Sequence, residues 1–249
     1  MTDSARPSDR PSSERPSERR AAARTSVVWD VVRPHVQAGS DVLDIGGGTG
    51  GFAVRVAELG ARVTVVDPSP DALASLARRA RELAVEVTAV QGDLSTVLEV
   101  TGPASADLVL CHGVLEVVDD PAAALATLRQ VLRPGGVLSL LVAQRHAAVI
   151  ARAMAGHFGQ ALTLLDAGPG DRDGRAGHRF TVDEASALAG EAGFAVESVH
   201  GVRVFADLVP GSLLDLEPGA TAALVELERA VSERAEYLPL AAQLHLLAR

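Results

Sequence analysis

From residue 21 onward, the apolar positions of this chain fall into two alternating rhythms. Runs such as Val63-Thr64-Val65-Val66 are apolar almost throughout, as strands buried on both faces are. Between them, apolar residues recur every three or four positions; Leu73, Leu76 and Ala80 would share one face of a helix. Strands are predicted at 41–45, 62–66, 85–90, 106–111, 137–142, 195–204 and 238–248. Helices are predicted at 21–36, 52–59, 71–83, 121–132, 147–156, 182–192 and 220–233, with Pro121 in a first turn. Strands separated by helices imply an α/β fold, a seven-stranded, mostly parallel sheet with helices on both faces. Ligands then gather at the C-terminal ends of the strands. Residues 158–180 break both rhythms and read as a polar, glycine-rich insert near the substrate site. Residues 1–20 carry almost no apolar side chains, so burial cannot offset ordering entropy. They are expected to form a disordered tail before one domain spanning 21–249.

The break after the first strand carries the sharpest chemical signal. Residues Val42 to Gly50 read VLDIGGGTG, an apolar run that reaches Asp44 and then turns through Gly46, Gly47 and Gly48. Glycines there let the backbone approach a ligand closely in a Rossmann-like sheet. The next strand ends in Asp67, placed to accept hydrogen bonds from both hydroxyls of a ribose. Gly46, Gly48 and Gly51 also satisfy the dinucleotide pattern GxGxxG, which alone is weak. Asp44 discriminates, because its carboxylate would repel a pyrophosphate but attract a cofactor carrying an ammonium and a sulfonium. That describes S-adenosylmethionine.

Charge and composition narrow the field. The net charge is −9, the isoelectric point is about 5.2, and every basic residue is arginine. Such a surface does not attract nucleic acid non-specifically. The single Cys111 excludes an internal disulfide and fits a reducing cytoplasm. No apolar run is long enough to span a bilayer, and the N-terminus lacks the apolar segment of a secretory signal. No membrane partner and no metal site are predicted.

The stretch DIGGGTG resembles the first motif of the class I S-adenosylmethionine-dependent methyltransferases. Three later segments fall in the family's order. Gly92-Asp93-Leu94 follows strand three, where an acid can accept the adenine amino group. Residues 111–116, CHGVLE, follow strand four beside the transferable methyl, and LRPGG precedes strand five. A narrower resemblance, to the tRNA 5-carboxymethoxyuridine methyltransferase family, rests on HGVLEVVDDP at 112–121, LRPGGVLSLL at 132–141, GVRVFAD at 201–207 and residues 224–249. It implies methyl esterification of a wobble-uridine carboxylate. It also implies cofactor contacts at Arg24, Gly46, Gly47, Asp67, His112 and, less closely aligned, Asp93 with Leu94. Two departures bear on the tRNA partner. The family's lysine run after strand five is here DAGPGDRDGRAGHR, residues 166–179, and its aromatic–asparagine pair is Ala143-Gln144. Lost basic charge weakens phosphate binding, and a lost aromatic removes a stacking surface.

An ionised carboxylate acceptor needs no general base, whereas a hydroxyl or amine usually does. His112 is the candidate base in that second case, against a plain cofactor-packing role. His146, just past strand five, is a candidate substrate contact. Arg203 sits in the apolar run Gly201-Val202-Arg203-Val204-Phe205, where a charge must be paired. It is either salt-bridged to Asp207 or an anchor for an anionic acceptor, and Arg172, Arg175 and Arg179 are further candidates. Glu116 reads as a loop contact, Cys111 as core, and Trp29 as core or lid packing. Two alternatives stay open beside a tRNA acceptor: methylation of a small metabolite, and a non-catalytic S-adenosylmethionine-binding regulator.

Overall fold

The computed structural model describes residues 16–216 and 219–249, with only the backbone given for 16–23, 175, 215 and 216. Residues 1–15 of the expected tail lie outside the described residues. Residues 16–20, expected in the tail, instead open a helix, α1 (Pro16–Val32). Proline suits a first helical turn, and the alanines that follow propagate it backward past the composition boundary.

The seven predicted strands are present as β1 (Asp41–Ile45), β2 (Arg62–Asp67), β3 (Val87–Gln91), β4 (Ala106–His112), β5 (Leu132–Ala143), β6 (Val196–Val202) and β7 (Gln243–Ala248). They form one sheet in the order β3-β2-β1-β4-β5-β7-β6. All pairs are parallel except those of β7, which runs antiparallel to β5 and β6. The predicted helices appear as α1, α2 (Ala53–Glu58), α3 (Pro70–Glu82), α5 (Pro121–Val131), α6 (Arg145–Met154), α8 (Val182–Glu191) and α10 (Ala220–Val231). Three short ones were not foreseen: α4 (Val97–Thr101), α7 (Phe158–Leu165) and α9 (Gly211–Leu216). The segment from 238, expected to be strand, begins as a 3₁₀ turn at Leu238–Leu240, because Pro239 cannot donate to a ladder.

Alternation along the strands splits the core into two layers. Leu43, Ile45, Val109, Leu138, Leu140, Leu244 and Leu246 face one side with Leu125 and Leu128 of α5 and Ala185 and Ala189 of α8. Val42, Val63, Val65, Leu108, Leu110, Leu141 and Leu247 face the other, under Val28 and Val32 of α1, Val54 of α2 and Leu76 of α3. Helix starts are fixed by side chains: Asp120 Oδ1 accepts the Ala123 N–H at 3.0 Å, and Thr181 with Glu184 forms a capping box on α8. Gln144 caps α6 by accepting the Ala147 N–H at 3.1 Å, so that helix starts two residues earlier than its apolar spacing suggests.

The insert is a tied structure rather than a loose loop. Arg145, buried at the start of α6, donates to the carbonyls of Ala167, Gly168 and Arg179 and pairs with Glu184 at 2.7 Å. Asp173 receives both Arg152 at 2.6 Å and Arg179 at 2.9 Å. The buried guanidinium of Arg145 thus gathers three backbone carbonyls of the insert.

Candidate active site

Two cavities open at the C-terminal ends of the strands. The first, about 680 Å³, lies over β1, β2 and β4 and is lined by Gly46, Asp67, Asp93, Leu94 and Val114 among others. The second, about 720 Å³, lies over β5, β6 and β7, with Arg24, Phe52, Leu141, Arg203, Asp207 and Gln243 in its wall. His112, at the end of β4, sits between them: Gly113 lines the first cavity, and Phe52, 5.0 Å from the His112 ring, lines the second.

The first cavity fits an adenosyl cofactor. Gly46 has φ +66°, and a Cβ there would lie 2.7 Å from the Val114 side chain; at Gly47 it would lie 2.5 Å from Asp44 Oδ2. No larger residue leaves room for both the turn and the carboxylate. Asp67 is aimed by backbone donors, its Oδ2 accepting from Gly48 N–H at 2.9 Å and its Oδ1 from Ser69 N–H at 2.8 Å. Each oxygen keeps a lone pair for a ribose hydroxyl. Asp44 is buried, and burial, then the Asp67 charge, pushes its carboxyl up to about 7. A cation in the cleft would favour its ionised form. Asp93 is exposed, and hydrogen bonds from Ser95 hold its carboxyl below the ordinary range. Helix α2 starts only at Ala53, beyond the glycine turn, whose Gly46 and Gly48 N–H groups donate to the Val66 carbonyl and to Asp67.

The second cavity is cationic. Arg24 pairs with Asp207 Oδ1 at 3.2 Å, Arg203 pairs with its Oδ2, and Arg203 Nη1 reaches Gln243 Oε1 at 3.3 Å. Arg203 is not inside the strand as expected. It follows β6 with φ +62°, a strained conformation for a non-glycine residue. Glu228, fully buried on α10, holds that turn by accepting the N–H groups of Val204, Phe205 and Ala206 at 2.9, 2.8 and 2.7 Å.

Several expectations change. His112 is poorly suited to act as a base: Nε2 is 2.8 Å from Ser139 Oγ, and burial pushes the ring down to about 4. His146 is exposed on the first turn of α6 and is not in the wall of either cavity. Helix α6 starts earlier than expected, and Gln144 turns inward, donating to the Leu238 carbonyl. Arg172 pairs with Asp119 and the Val118 carbonyl, and Arg179 with Asp173, so both tie down the insert. The Arg175 side chain lies outside the described residues. Glu116 is the loop contact expected, accepting the Ala143 N–H at 2.6 Å. Trp29 packs on the edge of the α1 layer under the Arg55 guanidinium. Ser139, His245, Glu228 and Arg145 were missed, and their signal was a polar residue interrupting an otherwise apolar strand or helix face.

Comparison with known proteins agrees with this geometry. A methyltransferase-domain family model matches residues 43–138. The tRNA 5-carboxymethoxyuridine methyltransferase of Escherichia coli K12 is 32% identical over 91% of this chain and 87% of its own length. This chain belongs to that family of class I S-adenosylmethionine-dependent methyltransferases. A ubiquinone biosynthesis O-methyltransferase of Xanthomonas oryzae is 38% identical, but over 48% of this chain and 49% of its own. Among solved structures, an S-adenosylmethionine-dependent methyltransferase of Mesorhizobium loti superposes with a TM-score of 0.60 at 23% identity, covering 90% of this chain and 97% of that one. The enzyme therefore uses S-adenosylmethionine, and no helix among its described residues is long and apolar enough to cross a membrane.

Proposed function

We propose that this methyltransferase esterifies the carboxylate of carboxymethoxyuridine in tRNA, with the cofactor held over β1 and β2 and the acceptor in the cavity over β5–β7. The observation that carries the proposal is the Arg24–Asp207–Arg203 cluster: two guanidinium groups share one carboxylate. Arg203 Nε is buried without a partner. The cluster keeps an excess positive charge facing the cavity, and a guanidinium grips a carboxylate in a two-point fork. When bound, the cofactor supplies a methyl already activated on a sulfonium. The residues then have only to align an ionised carboxylate and exclude water. That suits a site whose one histidine between the cavities is neutral and engaged. We take Arg24, expected to touch the cofactor, to serve both ligands from the cavity rim, and place the reaction in the cytoplasm, where buried Cys111 stays reduced.

The net charge of −9 and the lysine-free insert favour a second reading, a small anionic metabolite in the same cavity. Purified full-length protein with methyl-labelled cofactor, unfractionated tRNA and a metabolite extract separates the readings. Label in tRNA is expected. Label only in small molecules supports the second reading, and cofactor binding without transfer would leave a regulator.

A further inference from the structure

Beneath the site runs a row of buried polar side chains that methyl transfer does not obviously need. His112, Leu141, His245 and His200 are register partners across β4, β5, β7 and β6, so their side chains share the sheet face covered by α1. Ser139, two residues before Leu141, joins the same face. Its Oγ lies 2.8 Å from His112 Nε2 and 2.7 Å from His245 Nε2. His245 is fully buried, and at the far end His200 Nε2 meets Glu233 Oε1 at 3.1 Å.

A serine hydroxyl has one proton. It can donate to one of the two Nε2 atoms and must accept from the other. One of the two rings therefore carries its proton on Nε2, and the other on Nδ1. His245 Nδ1 and His200 Nδ1 are both buried without a hydrogen-bond partner. A buried orphan N–H is rarer than a bare acceptor, so these two Nδ1 atoms are best left unprotonated. His200 then donates its Nε2–H to Glu233, and His245 donates its Nε2–H to Ser139. Ser139 in turn donates to His112 Nε2, which leaves the His112 proton on Nδ1.

We propose that Ser139 and His245 are positioning residues that lock His112, between the two cavities, as the Nδ1–H tautomer, so that its free ring nitrogen can act only as a hydrogen-bond donor and never as a base. The reverse tautomer would present a lone pair in the same place, with the ring otherwise unmoved. A donor at that point suits an oxygen of an anionic ligand; a lone pair would repel it. The tautomer assignment is independent of the acceptor, and only the rate test below rests on the proposed tRNA substrate.

Imidazole ¹H–¹⁵N spectra of the full chain carrying ¹⁵N-histidine test it, with His112 signals assigned by their loss in His112→Asn. His112 is expected to show a protonated Nδ1 and a bare Nε2 across pH 6–8, and His245 the opposite pattern. In Ser139→Ala the His112 pattern should average between tautomers, and Ser139→Thr should restore it. With S-adenosylmethionine and unfractionated tRNA, Ser139→Ala should lower kcat by about tenfold or more, since a wrong tautomer removes the donor. Affinity for S-adenosylhomocysteine should fall far less than kcat does. A wild-type His112 protonated on Nε2 overturns the proposal without recourse to any variant. So does a Ser139→Ala protein that loses cofactor affinity as much as rate, which would make Ser139 merely structural.

Discussion

At the ends of β1 and β2, burial and then the Asp67 charge disfavour an ionised Asp44, and Asp67 is held by backbone amides. At the ends of β6 and β7 the pattern inverts: two arginines converge on the single carboxylate of Asp207. One side of His112 is short of positive charge and the other short of negative charge. On the proposed function, each half is completed by a ligand of the opposite sign, a sulfonium-bearing donor on one side and an anionic acceptor on the other. In the cofactor half, the unfavourable ionisation of buried Asp44 would be relieved by a bound cation.

Asp44→Asn should have the largest effect on stability. The Asp44 folded-state value of about 7 lies above its ordinary 3.8. Ionising Asp44 therefore opposes folding, not at all below the ordinary value, increasingly through the interval, and fully above about 7. The asparagine variant should be more stable than the parent at pH 8 by on the order of 4 kcal/mol, a difference that fades as pH falls toward 4. Urea denaturation at several pH values would measure it, and cofactor affinity should fall in the same variant. Equal stability of the two proteins at pH 8 would break the picture of an unfavourable Asp44 charge.

Asp67→Ala should weaken cofactor binding by about 1.5–3 kcal/mol, the scale of hydrogen bonds to a charged group, while leaving the acceptor KM unchanged. Calorimetry with S-adenosylhomocysteine reads the first quantity. Arg203→Met should do the reverse, raising the acceptor KM about tenfold with cofactor affinity intact. If both variants moved both constants, the division into halves would fail. If Arg203→Met only unfolded the protein, the strained turn would be structural. At saturating cofactor, kcat should be flat from about pH 6 to 8, because His112 is pushed down to about 4 and a carboxylate acceptor needs no base. The smallest effect is expected from deleting residues 1–20, which should leave cofactor affinity within about twofold. Deletion through residue 35 removes α1 with Arg24 and Val28 and should abolish binding; equal affinity for both truncations would exclude α1 from the site.

The same contrast explains what was legible in the sequence. The cofactor half is written locally: a glycine turn must follow its strand, and Asp44 and Asp67 must end adjacent parallel strands. All seven strands were therefore visible as apolar runs, and Asp44, Gly46–Gly48 and Asp67 fell where the motif put them. The acceptor half is assembled from distant pieces. Arg24 meets Asp207 from the far end of the sequence, and His112 meets His245 through Ser139 and edge to face, contacts that no local pattern encodes. Glu228 looked like one more polar residue on an amphipathic helix, yet it holds the turn that aims Arg203. His146 lies exposed on the first turn of α6, because the capping residue Gln144 starts that helix early. Helix α7 was missed because glycine-rich flanks hid an eight-residue helix whose apolar positions are partly exposed.

The most direct measurement of the central claim is the alkali stability of the transferred methyl. The protein is incubated with methyl-labelled S-adenosylmethionine and tRNA, the nucleic acid is recovered, and it is treated with mild alkali. A methyl ester hydrolyses and releases labelled methanol, whereas a methyl on nitrogen, carbon or an ether oxygen stays with the nucleoside. Release of the label from tRNA is the expected result. Label that resists alkali would contradict a carboxylate acceptor and, with it, the anionic ligand that the arginine half is built to complete.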